Sequence, residues 1–105
     1  MAALFVDLDG TAFRWNTEEF LPGAQEQLLD FHRAGHQIIF TTRRDGTMFP
    51  IRDVDRMLKR LFPGCGFMAG IESPRIIMND EGVAAIKHPK NEPWNYDLVA
   101  LARTL

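Results

Sequence analysis

Residues 3 to 11 read Ala3-Leu4-Phe5-Val6-Asp7-Leu8-Asp9-Gly10-Thr11, and this stretch decides the fold. Ala3 to Val6 is a short, unbroken apolar run. Runs of this kind suit a strand buried on both faces, as in a parallel sheet. The run ends abruptly in two carboxylates and a glycine, so the chain turns just where its acidic side chains begin.

The pattern repeats further along the chain. Gln37-Ile38-Ile39-Phe40 is a second apolar run, closed by Thr41-Thr42-Arg43-Arg44. Gly66 to Gly70 reads as a short, weak strand. Arg75-Ile76-Ile77-Met78 reads as a firmer one, ending in Asn79-Asp80, and Val83 to Ile86 as a possible further strand. Helices are expected between them. Pro22-Gly23 opens the first, with Ala24, Leu28 and Phe31 on one face and Gly35 as its stop. Ile51, Val54, Met57, Leu58 and Leu61 recur at helical spacing, which predicts a helix over Pro50 to Phe62 that Pro63-Gly64 ends. A last helix is predicted over Trp94 to Leu105, with Leu98, Leu101, Ala102 and Leu105 inward. Alternating strands and helices predict an α/β fold: a single Rossmann-like three-layer domain with a mainly parallel sheet. The 105 residues suffice for one such domain over the whole chain, residues 1 to 105.

Composition narrows the function classes. Apolar residues make up 46% of the chain and charged residues 25%, ordinary globular values that argue against disorder. The net charge is −2 and the basic residues are scattered, so no nucleic-acid footprint is expected. The short pairs Arg43-Arg44 and Lys87-His88 read as solvated surface. Cys65 is the single cysteine, which excludes an internal disulfide. No apolar run approaches the roughly 18 residues of a membrane span. The start of the chain lacks a basic region followed by a long apolar core, so a cytoplasmic location is expected.

In a parallel sheet, ligands gather beyond the carboxyl ends of the strands. There the sequence places Asp7 and Asp9, then Thr41 and Thr42, then Asn79 and Asp80, with Arg75 nearby. Several carboxylates in one cleft repel one another unless a cation joins them. Oxygen-only ligands point to Mg²⁺. A metal, a hydroxyl and a guanidinium make a cradle for a phosphoryl group. An aspartate facing that phosphorus can attack it, and a second can move the proton.

Asp7-Leu8-Asp9-Gly10-Thr11 resembles the first motif of the haloacid-dehalogenase superfamily in its phosphatase form. Ile38 to Arg43 resembles the second motif, and Ile76 to Asp80 the fourth. The resemblance implies Asp7 as nucleophile and metal ligand, and Asp9 as acid/base with its carbonyl on the metal. It implies Thr42, or Thr41, as the group that holds the phosphoryl oxygen, and Asp80, or Asn79, in the metal shell. Two departures stand out. Asn79 occupies a position usually acidic, and the third-motif cation is missing, with Arg75 the best candidate ahead of Lys87 and Lys90. Cap domains are inserted after the first or the third strand, and here those gaps hold only a flap (about residues 10 to 21) and a short link (about 69 to 74). The resemblance thus implies a capless, Mg²⁺-dependent phosphomonoesterase acting through an aspartyl-phosphate. Its substrate would be a small-molecule or polymer-linked phosphate ester, and a second copy could close the open site.

Other readings compete. A calcium loop counted from Asp7 puts Glu18 at its twelfth position, but its obligatory glycine falls at Ala12 and a strand precedes it. A receiver-like phosphoacceptor domain needs an acceptor aspartate after a third strand, where none stands. An inactive member serving as a scaffold or binder is kept open by Asn79 and the missing lysine.

Overall fold

The structure is a computed structural model that describes residues 1–46 and 51–105. It is an α/β fold built on three strands in an all-parallel, open sheet. The strands are β1 (Ala3–Asp7), β2 (Gln37–Thr41) and β3 (Gly66–Met68), in the order β1-β2-β3. Asp7 lies opposite Thr41, and Thr41 opposite Met68, so the three carboxyl ends are level. That register brings the polar ends of the first two runs together, as the alternation of elements implied.

Helix α1 (Ala24–Arg33) buries Ala24, Leu28 and Phe31, the face predicted from their spacing. Gly23 precedes it at φ +83°, a conformation that glycine adopts without strain. A Cβ there would lie 2.8 Å from the Trp94 carbonyl oxygen and 2.9 Å from the Gln27 amide nitrogen. Gln27 donates to that same carbonyl at 3.0 Å, so the position joins α1 to the C-terminal segment. Gly23→Ala is expected to cost about 2 kcal/mol through the left-handed backbone alone. A thermal melt checks this, with Tm expected about 10 °C below that of the parent.

Helix α2 (Ile51–Leu61) buries Val54 and Leu58. The expected first residue of this helix, Pro50, lies outside the described residues. Phe62 is fully buried just after it and meets Phe40 of β2 at 5.4 Å and Phe20 at 6.3 Å between ring centres. Phe20 meets Phe13 edge-on at 5.0 Å. Four rings therefore run from the sheet into the flap, and the three fully buried ones, Phe13, Phe40 and Phe62, each contribute about 1.5–3 kcal/mol by leaving water. The flap is anchored in the core: Phe13 bridges to both Asp9 and Phe20, and Phe13 and Leu21 are buried.

Helix α3 (Leu98–Arg103) is shorter than predicted at both ends. Asp97 caps its start, its carboxylate accepting the Ala100 N–H at 3.0 Å. Trp94 instead lies in the core before the helix. Leu98 is buried as expected, but Leu105 is 53% exposed, because it follows Thr104 at the helix's end.

Two expected strands do not form. Arg75–Met78 and Val83–Ile86 have no regular structure, and Ile76 and Met78 are 92% and 95% exposed. The reason is one of register. A parallel strand beginning at Arg75 would start level with Ala3 and reach Asp7 about 13 Å later, near Asn79. Arg75 itself is instead tied to Asp7, at the carboxyl end of β1. The chain therefore leaves from the top of the sheet rather than running beside β1. Among the described residues nothing pairs with the outer edge of β1. Its expected burial on both faces is corrected accordingly: Val6 is buried, while Ala3 and Phe5 are exposed.

Candidate active site

The site starts from the turn after β1. Ala12 N–H donates to the Asp7 carbonyl, and Phe13 and Thr11 N–H groups donate to Leu8. Gly10 completes the turn at φ +79°. These bonds curl residues 7 to 13 so tightly that Asp7, Asp9 and Thr11 share one end of the sheet. The indole N–H of Trp94 donates to the Thr11 carbonyl at 2.6 Å, and its backbone N–H donates to Pro22. A residue 83 positions away thus clamps the acidic loop from beneath.

Each carboxylate meets an arginine. Arg75 donates from Nη1 to Asp7 Oδ1 at 3.1 Å and from Nη2 to the Ile71 carbonyl at 3.1 Å. Its Nε is buried without a partner among the described residues. The Thr11 hydroxyl donates to the other oxygen of Asp7 at 3.3 Å. Arg44 grips Asp9 with two bonds, Nε to Oδ2 at 2.9 Å and Nη2 to Oδ1, while Nη2 also donates to the Thr17 carbonyl. Asn16 N–H donates the third bond to the Asp9 carboxylate, at Oδ1 and 3.3 Å. The bond to Asp9 holds the Arg44 guanidinium above its ordinary pKa, against the opposite pull of burial.

Asp7 and Asp9 line a cleft of about 120 Å³ together with Trp15, Arg43 and Ser73. Arg43 stands on its rim, 64% exposed and 4.0 Å from Glu72. Two carboxylates against Arg43, Arg44 and Arg75 leave the cleft without excess negative charge.

The other expected site residues lie elsewhere or are otherwise engaged. The Thr41 hydroxyl donates to the Val6 carbonyl at 3.4 Å. Thr42 is fully buried, and its hydroxyl accepts the Arg44 N–H at 3.1 Å, which holds Arg44 in position. Neither threonine lines the cleft. Asn79 and Asp80 are exposed on the irregular segment. Among the described residues no three His, Cys, Asp or Glu side chains gather closely enough to hold a metal ion. The donor chemistry of Asp7 and Asp9 nevertheless suits Mg²⁺, which takes one or two carboxylates and completes its shell with waters.

Arg44, Arg43 and Ser73 were not among the site residues expected from the sequence. Arg43-Arg44 had read as solvated surface, yet Arg44 is only 6% exposed. The observed register accounts for its place: with Asp7 opposite Thr41, residues 43 and 44 stand level with Asp9 and Gly10. His36 accepts the Ala2 N–H and stacks on Phe31, and His88 bonds Tyr96 and the Glu92 carbonyl. Burial pushes the Cys65 thiol pKa up, which makes it a poor nucleophile. No helix among the described residues is long and apolar enough to cross a membrane.

No family model, curated protein or solved structure matches this chain.

Proposed function

We propose that this chain is a phosphomonoester hydrolase of the haloacid-dehalogenase kind, a capless Rossmann-like three-layer domain that works in the cytoplasm with Mg²⁺. The observation that carries the reading is the meeting of Asp7 and Arg75, 68 positions apart, at the carboxyl end of a parallel strand. A nucleophilic carboxylate, a guanidinium and a hydroxyl, that of Thr11, then share one point. In an open sheet that is where ligands bind.

In this mechanism an Asp7 oxygen attacks phosphorus, and the bond from phosphorus to the ester oxygen breaks. The departing oxygen takes a proton from Asp9. Water then attacks the aspartyl-phosphate, Asp9 accepts its proton, and cleavage of the bond between phosphorus and Asp7 releases phosphate and restores the carboxylate. Oδ2 of Asp9 accepts from Arg44 Nε, and a carboxylate oxygen has room for a second bond, here to the travelling proton. Arg75 serves the phosphoryl oxygens through Nη1, the nitrogen that donates to Asp7. Asp7, the Asp9 carbonyl and a swing of Asp80 or Asn79 would hold Mg²⁺, which supplies positive charge against the phosphoryl oxygens. The substrate is a small-molecule or polymer-linked phosphate ester, and a second copy of the chain could cover the open cleft.

Phosphate release from p-nitrophenyl phosphate tests the proposal. Chelation of divalent ions is expected to lower the rate by at least about 10²-fold, with recovery on adding Mg²⁺. No release under either condition would count against it. The two ion pairs also favour a second reading, a binder whose carboxylates stay capped by arginine. Mg²⁺ binding without turnover across a panel of phosphate esters would select that reading. A receiver-like domain is disfavoured, because Ala69, Gly70 and Ile71 follow β3 where an acceptor aspartate is needed.

A further inference from the structure

We infer that the cleft takes phosphate esters whose organic part carries a planar aromatic ring, with Trp15 as the platform on which that ring stacks. This rests on the phosphatase reading for the phosphate end and adds the class of group at the other end.

Trp15 lines the same cleft as Asp7 and Asp9, yet it is 51% exposed. The other tryptophan shows what a structural indole looks like in this protein: Trp94 is 7% exposed and its N–H is satisfied. Trp15 is exposed and also held in place. Its backbone N–H donates to the Asn91 side-chain oxygen at 2.7 Å, and Asn91 N–H donates in turn to the Gly10 carbonyl at 2.9 Å. The Lys90 ammonium lies over the indole at 4.0 Å from the ring centre, a cation–π contact on one side of the ring. Gly10 makes room beneath: a Cβ there would lie 3.0 Å from Lys90 Cγ and 3.4 Å from Trp15 Cε3.

The flap, the nucleophile loop and the 89–91 segment therefore converge to hold one half-exposed ring at the edge of the reacting groups. An ordered ring has already lost the freedom that binding would otherwise remove. Aromatic side chains stack with bases regardless of their identity, because every base has a π-face. The same chemistry suits an aryl phosphate, in which the ring is joined directly to the phosphate oxygen, or a nucleoside monophosphate, in which a ribose intervenes.

The test uses Asp7→Asn protein with Mg²⁺, so that ligands are not turned over, and isothermal titration calorimetry. The probes are adenosine 5′-monophosphate, phenyl phosphate and ribose 5-phosphate. At least one aromatic probe is expected to bind about tenfold or more tightly than ribose 5-phosphate. Which of the two does so distinguishes the nucleotide from the aryl ester. Adding Trp15→Ala is expected to abolish that preference, and Trp15→Phe to keep most of it. Equal affinity for all three probes in the parent overturns the inference. So does a Trp15→Ala loss that falls equally on ribose 5-phosphate, which would make Trp15 a prop for the loop. A Trp15-dependent aromatic preference, together with wild-type protein that never releases phosphate from any ester, would sink the phosphatase reading and leave this inference standing. Turnover without any aromatic preference would do the reverse.

Discussion

Asp7→Asn is expected to lower phosphate release by about 10³-fold or more while leaving the fold in place. The amide nitrogen is no nucleophile, and the amide oxygen is far weaker than a carboxylate, so the covalent route closes. The fold should tolerate the change for a definite reason. Asp7 and Arg75 are 31% and 26% exposed at their side chains, and ion pairs so open to water contribute about 0–1 kcal/mol. Asn keeps an oxygen that can accept from Arg75 or Thr11. Tm is therefore expected to move by no more than a few degrees, measured on the same preparation as the rate. Full activity in a folded Asp7→Asn protein would remove Asp7 from the nucleophile's role.

Arg44→Ala is expected to damage both stability and chemistry. Arg44 is nearly buried, 4% exposed at its side chain, and it ties Asp9 on the acidic loop to Thr17 in the flap. Hydrogen bonds to a charged group are worth about 1.5–3 kcal/mol, and Asp9 keeps access to water from the cleft. Breaking this nearly buried pair costs about 3–5 kcal/mol, which corresponds to a Tm at least roughly 15 °C lower. Well below that Tm, kcat is expected to fall about 10²-fold with KM little changed, because Asp9 loses the fork that orients it. The choice of ester separates this from general loosening. An alkyl phosphate has a poor leaving group and needs the Asp9 proton, whereas p-nitrophenolate leaves almost unaided. The alkyl ester should therefore suffer more. Arg44→Lys is expected to rescue little, since an ammonium cannot make two parallel bonds to one carboxylate. An equal loss on both esters would assign Arg44 a purely structural role.

Much of the scaffold was legible from local patterns. The burial of Ala24, Leu28 and Phe31 follows from helical spacing, and the pairing of β1 with β2 from two apolar runs joined by a helix. Gly10, at positive φ, marks the turn after Asp9. Less legible were features that depend on a partner. Ile76 to Met78 has strand composition, yet a strand exists only where another strand accepts its hydrogen bonds. Arg75 stands level with Asp7, which is the wrong register for β1 to do so. The start of α3 lies later than its apolar spacing predicts for a local reason: Asp97 caps the helix and Trp94 stays outside it.

The same division holds for the acidic loop. By itself the sequence determined that Asp7 and Asp9 end an apolar strand and turn at Gly10, because apolar runs, carboxylates and a glycine act within a few residues of one another. Only the tertiary structure decided what faces them. Arg75 on Asp7, Arg44 on Asp9, Trp94 beneath Thr11 and Trp15 under Lys90 are contacts across 35 to 83 positions. Their geometry is set by sheet register and by packing of the flap against the core, which no short stretch of the chain encodes.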